Sequence, residues 1–242
     1  MSSKDYDPRI VDLYDGQNPD GPDHEFYRRL AYKHRAQKIL DLGCGTGILT
    51  VTLAKDNRQV TGLDPSSAML NFASARAGSE RIRWVHGDSR SIPDNGYDLM
   101  IMSGNVAQHI PEEQWQSTLE ALRSAAAPNA RLAFESRSPL ARSWEQWAME
   151  PKTISNTRQG VLEEWCTVAD LGAGRILLRS YNNFRDAGEL VVEEVTLNFR
   201  SRERIAADLK NAGFDVLNVF GDWDETPFDS SQRIMIFEAI AR

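Results

Sequence analysis

From Lys38 onward, short apolar runs alternate with amphipathic segments. Runs at 38–42, 59–63, 82–86, 97–102 and 131–135 have the length and bounding residues of strands. Between them, 48–55 and 66–76 read as helices. A third helix follows Pro111: proline suits a first helical turn, Glu112 and Glu113 sit at the positive end of the dipole, and Trp115, Leu119, Leu122 and Ala126 share a face. Strands alternating with helices predict a parallel sheet covered on both faces. The rhythm then breaks. Runs at 161–169, 175–185 and 190–199 show a period of two and are separated by turn sequences at 170–174 and 186–188. In the last run Val191, Val195, Leu197 and Phe199 face one way, interrupted only by Glu193, while Glu194, Thr196, Asn198 and Arg200 face the other. This predicts an antiparallel meander with one buried face. A helix at 201–211, stopped by Gly213, and strands near 215–220 and 233–239 complete the α/β pattern. The first forty residues are polar, broken by Gly and Pro at 16–22, and read as a helical arm. The predicted organisation is an arm at 1–37, an α/β core at 38–139 and 200–242, and an inserted helix with meander at 140–199.

Charge and composition narrow the range of partners. A net charge of -7 argues against a nucleic-acid backbone as partner. Cys44 and Cys166 offer neither a disulfide framework nor zinc spacing, which fits a reducing compartment. No stretch approaches the roughly 20 apolar residues that span a bilayer, and the polar start at 1–7 has no signal-peptide core. The expectation is a soluble, cytoplasmic protein without membrane contact. His24, His34, His86 and His109 are scattered without ligand spacing, so no metal is expected.

The chemistry concentrates in Asp41-Leu-Gly43-Cys-Gly45-Thr-Gly47, at the end of the first strand. Three glycines allow a tight turn and close approach of the backbone to a ligand. The dinucleotide fingerprint needs its third small residue three positions after the second glycine, which is Ile48 here. Asp41 is also a poor neighbour for pyrophosphate and a good one for a ligand carrying ammonium and sulfonium. Asp64 ends the second strand, where an acid can accept from both ribose hydroxyls or cap the following helix. Gly87-Asp88-Ser89 ends the third. These acids all fall at C-terminal strand ends, the edge at which open α/β sheets bind ligands.

Asp41 to Gly47 resembles motif I of the class I S-adenosylmethionine (SAM)-dependent methyltransferases, and the order of elements across 38–135 is similar to that family's. The resemblance implies a Rossmann-like doubly wound, mostly parallel sheet ordered 3-2-1-4-5-7-6, last strand antiparallel, here with an inserted antiparallel β-layer. It implies SAM as cofactor, held by Asp41, Gly43, Cys44, Gly45, Gly47, Asp64, Pro65, Met69, Asp88, Ser89, Ser103 and Asn105. Asp88 would accept from the adenine amino group, and Ser103 or Asn105 would hold the methionine ammonium. His109 is a candidate general base or a packing residue. Tyr14 in Leu13-Tyr14-Asp15 resembles a tyrosine arm that closes over SAM, or is simply a packing residue. The insertion, with Trp144, Trp147, Trp165, Tyr181 and Phe184, would form an acceptor lid, its own core or a homodimer contact. The implied activity is methyl transfer to the N or O of a small organic acceptor. The alternatives are another SAM-fold transferase or a catalytically silent SAM-binding subunit.

Overall fold

The computed structural model describes residues 5–55, 57–147 and 151–242. The first four residues of the expected arm and positions 148–150 of the expected insertion lie outside the described residues. In chain order the strands are β1 (Lys38–Leu42), β2 (Gln59–Asp64), β3 (Ile82–His86), β4 (Tyr97–Met102), β5 (Ala126–Arg137), β6 (Thr153–Thr157), β7 (Gly160–Asp170), β8 (Arg175–Phe184), β9 (Glu189–Asn198), β10 (Phe214–Phe220) and β11 (Ile234–Ala241). The helices are α1 (Pro8–Gln17), α2 (Pro22–Lys33), α3 (Thr50–Leu53), α4 (Ser67–Ser74), α5 (Val106–His109), α6 (Glu112–Ala125), α7 (Ser143–Trp147) and α8 (Arg202–Asn211).

The larger sheet runs β3-β2-β1-β4-β5-β11-β10. Counted within that sheet, this is the expected 3-2-1-4-5-7-6 order, with β11 antiparallel to both neighbours. Its strands are apolar on both faces because helices cover both. Leu40, Leu42, Met100, Met102, Leu132 and Phe134 meet Trp115, Leu119 and Leu122 of α6 and Leu209 of α8. Ile39, Leu99, Ile101 and Ala133 meet Phe26, Tyr27 and Leu30 of α2, together with Leu49 and Leu53. Each such side chain taken fully from water contributes about 1.5–3 kcal/mol. Among the described residues no helix is long and apolar enough to cross a membrane.

The second sheet is antiparallel and runs β6-β7-β8-β9. One face carries two apolar clusters. Leu162, Phe184 and Val191 pack on Ile10 and Leu13 of α1. Ile176, Leu197 and Phe199 pack on Trp144, with Trp147, Val168, Leu178 and Val195 around them. Helix α1 therefore rests on this sheet.

Three details differ from the sequence expectation. The helix expected at 48–55 shortens to α3, because Thr50-Val51-Thr52 is β-branched and its hydroxyls bond elsewhere, Thr50 to Asp41 and Thr52 to the Leu49 carbonyl. The meander has a fourth strand, β6, which lies at the sheet edge and is exposed at almost every position, so it leaves no alternation to read. The five aromatics of the insertion do not share one face. Trp165 and Tyr181 pair across β7 and β8, stacked at 5.0 Å, on the opposite side from Leu162 and Phe184.

Candidate active site

The glycine loop leaves β1 between β2 and β4, where the chain crosses from one half of the sheet to the other. Gly43, Gly45 and Gly47 all have positive φ, at 78°, 52° and 71°. Their surroundings differ. A Cβ on Gly43 would lie 2.4 Å from Val106 Cγ2, and one on Gly47 2.6 Å from the Trp84 ring, whereas nothing lies within 4 Å of that position on Gly45. Gly43 and Gly47 are needed for packing. Gly45 opens into a cavity of about 560 Å³.

Three buried carboxylates surround the loop. Asp41 is 1% exposed; its Oδ2 accepts from the Thr50 hydroxyl at 2.6 Å, and its Oδ1 has no partner. Burial, and then the charges of Asp64 and Glu135, push its carboxyl up to about 7. Asp64 accepts from the amides of Gly45 and Ser66, each at 2.8 Å, yet burial still raises its carboxyl. Glu135, near the end of β5, accepts from the Asn105 amide at 2.5 Å and from the Tyr27 hydroxyl, and burial pushes it up to about 6.

Glu135 thereby fixes the segment after β4. Asn105 adopts φ 61°, a conformation asparagine tolerates, and its side-chain oxygen is buried without a partner. Helix α5 follows. Its closing carbonyls are taken from the far side: Asn198 donates to Gln108 and Ile110, and Arg200 donates to Ala107 and Ile110 while pairing with Glu112 at 3.0 Å.

The N-terminal segment closes over the loop. Asp15 accepts from the Thr46 hydroxyl at 2.6 Å and from Arg76, whose Nε also donates to the Thr46 carbonyl. Asp5 accepts from Ser66, Ser67 and the Ala68 amide at the start of α4. On its other side α1 meets the second sheet through Arg9–Glu189 and Gln159–Asp12 bonds. Asp15→Ala is expected to free this latch. Dissociation of a ligand from the glycine loop should then quicken several-fold in stopped-flow measurements, with the unfolding midpoint nearly unchanged.

The cavity is lined by Tyr14, Gly43, Cys44, Gly45, Ser103 and Asn105 among the residues singled out from sequence. Burial raises the Tyr14 hydroxyl, with Asp64 and Asp15 adding to it. The other expected site residues stand around the loop without lining the cavity. Asp41, Gly47, Asp64 and Pro65 lie behind or beside it, and Met69 is buried in α4 with its amide on Ser66 Oγ. Asp88 is held low by hydrogen bonds from Arg90, whose own side chain is 81% exposed. Ser89 is buried and bonds Thr118 at 3.0 Å. The His109 ring is pushed down to about 4 by burial and then by Arg137, so it is neutral near pH 7. Trp147, one of the aromatics singled out from sequence, lines the cavity too, as do residues without a sequence signal of their own: Asp23, His24, Glu135, Arg137 and Arg233. Glu135 was legible only as an acid at the end of an apolar strand.

Residues 39–129 match the family model described as a methyltransferase domain. An uncharacterised methyltransferase of Mycobacterium tuberculosis is 33% identical over 99 residues, covering 40% of this chain and 49% of that protein. The chain thus spans about half the length of the first curated relatives it matches. A SAM-dependent methyltransferase from Clostridium acetobutylicum superposes with a TM-score of 0.79 at 16% identity, covering 96% of this chain and 98% of that one. SAM-bound CalS10, an amino pentose methyltransferase from Micromonospora echinaspora, gives 0.70 at 20% identity with full coverage of both chains.

Proposed function

We propose that the chain, whose residues 39–129 match a methyltransferase-domain model, is a class I SAM-dependent methyltransferase that binds SAM at the glycine loop and methylates a small organic acceptor. The observation that carries this reading is the clustering of acidic groups: Asp41, Asp64 and Glu135 are buried around one loop, where burial holds each carboxyl above its ordinary range until a positive charge arrives. Such a site opposes pyrophosphate and favours a ligand that brings positive charge. The unpartnered Asp41 Oδ1 and Asn105 Oδ1 suit ammonium donors, and the space over Gly45 lets a ligand lie on the backbone. Asp64 is the ribose acceptor in this reading, and Asp88 with Ser89 serves the base once Arg90 releases the Asp88 carboxylate.

When bound, SAM supplies a methyl group already activated by its sulfonium. The chain supplies alignment and exclusion of water. Tyr14 and the arm cover the loop, the bond between Glu135 and the Asn105 amide fixes the floor, and α7 lines the cavity with Ser143 and Trp147. Holding two reactants in line can contribute about 7–11 kcal/mol. His109, neutral and within reach of the Arg137 charge, is a weak base. The reading therefore assigns orientation rather than proton abstraction to this chain, which suits an acceptor already nucleophilic at working pH.

Titration calorimetry with SAM, S-adenosylhomocysteine (SAH) and NAD tests the site. Binding of the first two without the third is expected, and NAD binding alone overturns the reading. Release of SAH from SAM in the presence of acceptor tests turnover. A pH series adds a signature. The raised Asp41 carboxyl holds a proton that the unfolded chain releases, so its contribution to ligand-free stability is present at about pH 4 and is lost as pH rises through about 7. A cationic ligand needs the ionised form. SAM affinity is therefore expected to rise from about pH 5.5 to about 7.5 with proton release, and Asp41→Asn should flatten the upper part of that rise.

A further inference from the structure

Arg137 lies two residues beyond Glu135 on β5, on the same side of the strand, and lines the cavity at the end next to the inserted helix α7. Its guanidinium stacks against Trp147, with Cζ 5.1 Å from the ring centroid, and Nη1 donates to Gln108 Oε1 at 3.1 Å. Among the described residues Nε and Nη2 have no hydrogen-bond acceptor, and no carboxylate lies within ion-pair distance. Arg9, Arg76 and Arg200, by contrast, are paired, with Asp7, Asp15 and Glu112. Glu135 does not fill the gap, because its oxygens already accept from Tyr27 and Asn105. Burial accordingly lowers the Arg137 guanidinium more than Glu135 and Tyr14 raise it. A half-buried cation without a counter-ion is costly, and that cost is offset when an anion arrives. Arg233, just before β11, lines the same cavity and its side chain is likewise unpaired among the described residues; Ser143 adds a hydroxyl. The cavity wall therefore carries two guanidiniums, while the oxygens of its buried carboxylate Glu135 are already taken.

We propose that the acceptor carries an anionic group, a carboxylate or a phosphate, which Arg137 grips with Arg233 while the reacting atom points back toward the glycine loop. This rests on the methyl-transfer reading above. Arginine suits the task because its planar fork matches a carboxylate or phosphate edge through two parallel bonds. The indole of Trp147 and the Gln108 bond fix the plane of that fork before the anion arrives.

The test uses SAH-saturated protein titrated with acetate and with inorganic phosphate at constant ionic strength, chloride serving as control. Binding is read by calorimetry and by thermal midpoint. At least one of the two anions is expected to bind and to raise the midpoint. Arg137→Gln should weaken that anion at least tenfold, Arg137→Lys by less, and the exposed Arg233→Gln by a few-fold, with SAH affinity unchanged in all three. The stronger probe identifies the class of anion. Absence of anion binding, or equal binding by the wild type and both glutamine variants, overturns the proposal. So does a parallel loss of SAH affinity, since Arg137 would then be holding the cofactor's own carboxylate. If the wild type fails to bind SAH at all, the functional reading falls instead.

Discussion

Replacing Gly45 by leucine is expected to leave a folded protein that binds SAH at least about a hundredfold more weakly, a loss of about 2.7 kcal/mol or more. The new Cβ meets nothing within 4 Å, so the fold loses only what a left-handed backbone costs a non-glycine residue, about 1–2 kcal/mol. The rest of the side chain projects into the cavity where the ligand must lie. Gly43→Ala is the matched control with the opposite signature. Its Cβ would press on Val106 from 2.4 Å, and valine cannot turn away, so stability falls first and affinity follows. Denaturant unfolding and titration of SAH, run on both variants, separate the two roles. A Gly45→Leu protein that still binds SAH within a few-fold of the wild type would remove the cavity from the cofactor site.

Loss of the Glu135 carboxylate is expected to be the most damaging single change to stability near the site. Glu135→Ala strands the Asn105 amide and the Tyr27 hydroxyl, the latter fully buried, and opens a void between α2 and β5. An unsatisfied buried group costs about 1–3 kcal/mol, so two of them place the loss near 2–6 kcal/mol. Glu135→Gln keeps the volume and one acceptor oxygen and should recover part of it. The midpoint of urea unfolding checks the order wild type, Gln, Ala. A loss under about 1 kcal/mol for Glu135→Ala would mean that the segment after β4 is held by something else.

Much of the core was legible because its signals are local. The glycine loop spans seven residues, and the strands declare themselves by runs of apolar side chains buried on both faces. Alternation predicted a parallel sheet covered on both faces, and the family resemblance alone supplied its strand order. What escaped was non-local. Asn105 meets Glu135 from 30 positions away, and Ala107 meets Arg200 from 93. No spacing rule links such partners, and Glu135 and Arg200 each look alone like an ordinary charge. Arg137 was invisible for the same reason, since its Trp147 partner lies on a helix that the periodicity only hinted at. The β6 strand failed differently: with both faces wet, it has no burial pattern for the sequence to record. Trp165 and Tyr181 were grouped with Phe184 by composition, and only the strand register separates them.

The bonds from Asn198 and Arg200 to the last carbonyls of α5 have a consequence for engineering. The second sheet cannot be treated as a cassette bounded by its turns, because its final strand hands donors to a helix ninety residues upstream. A chimera that imports residues 143–197 from a homologue but keeps the host's Asn198 and Arg200 preserves that seam. One cut a few positions later forfeits it unless the donor sequence supplies an equivalent pair, and the transplant then sits on a loosened hinge.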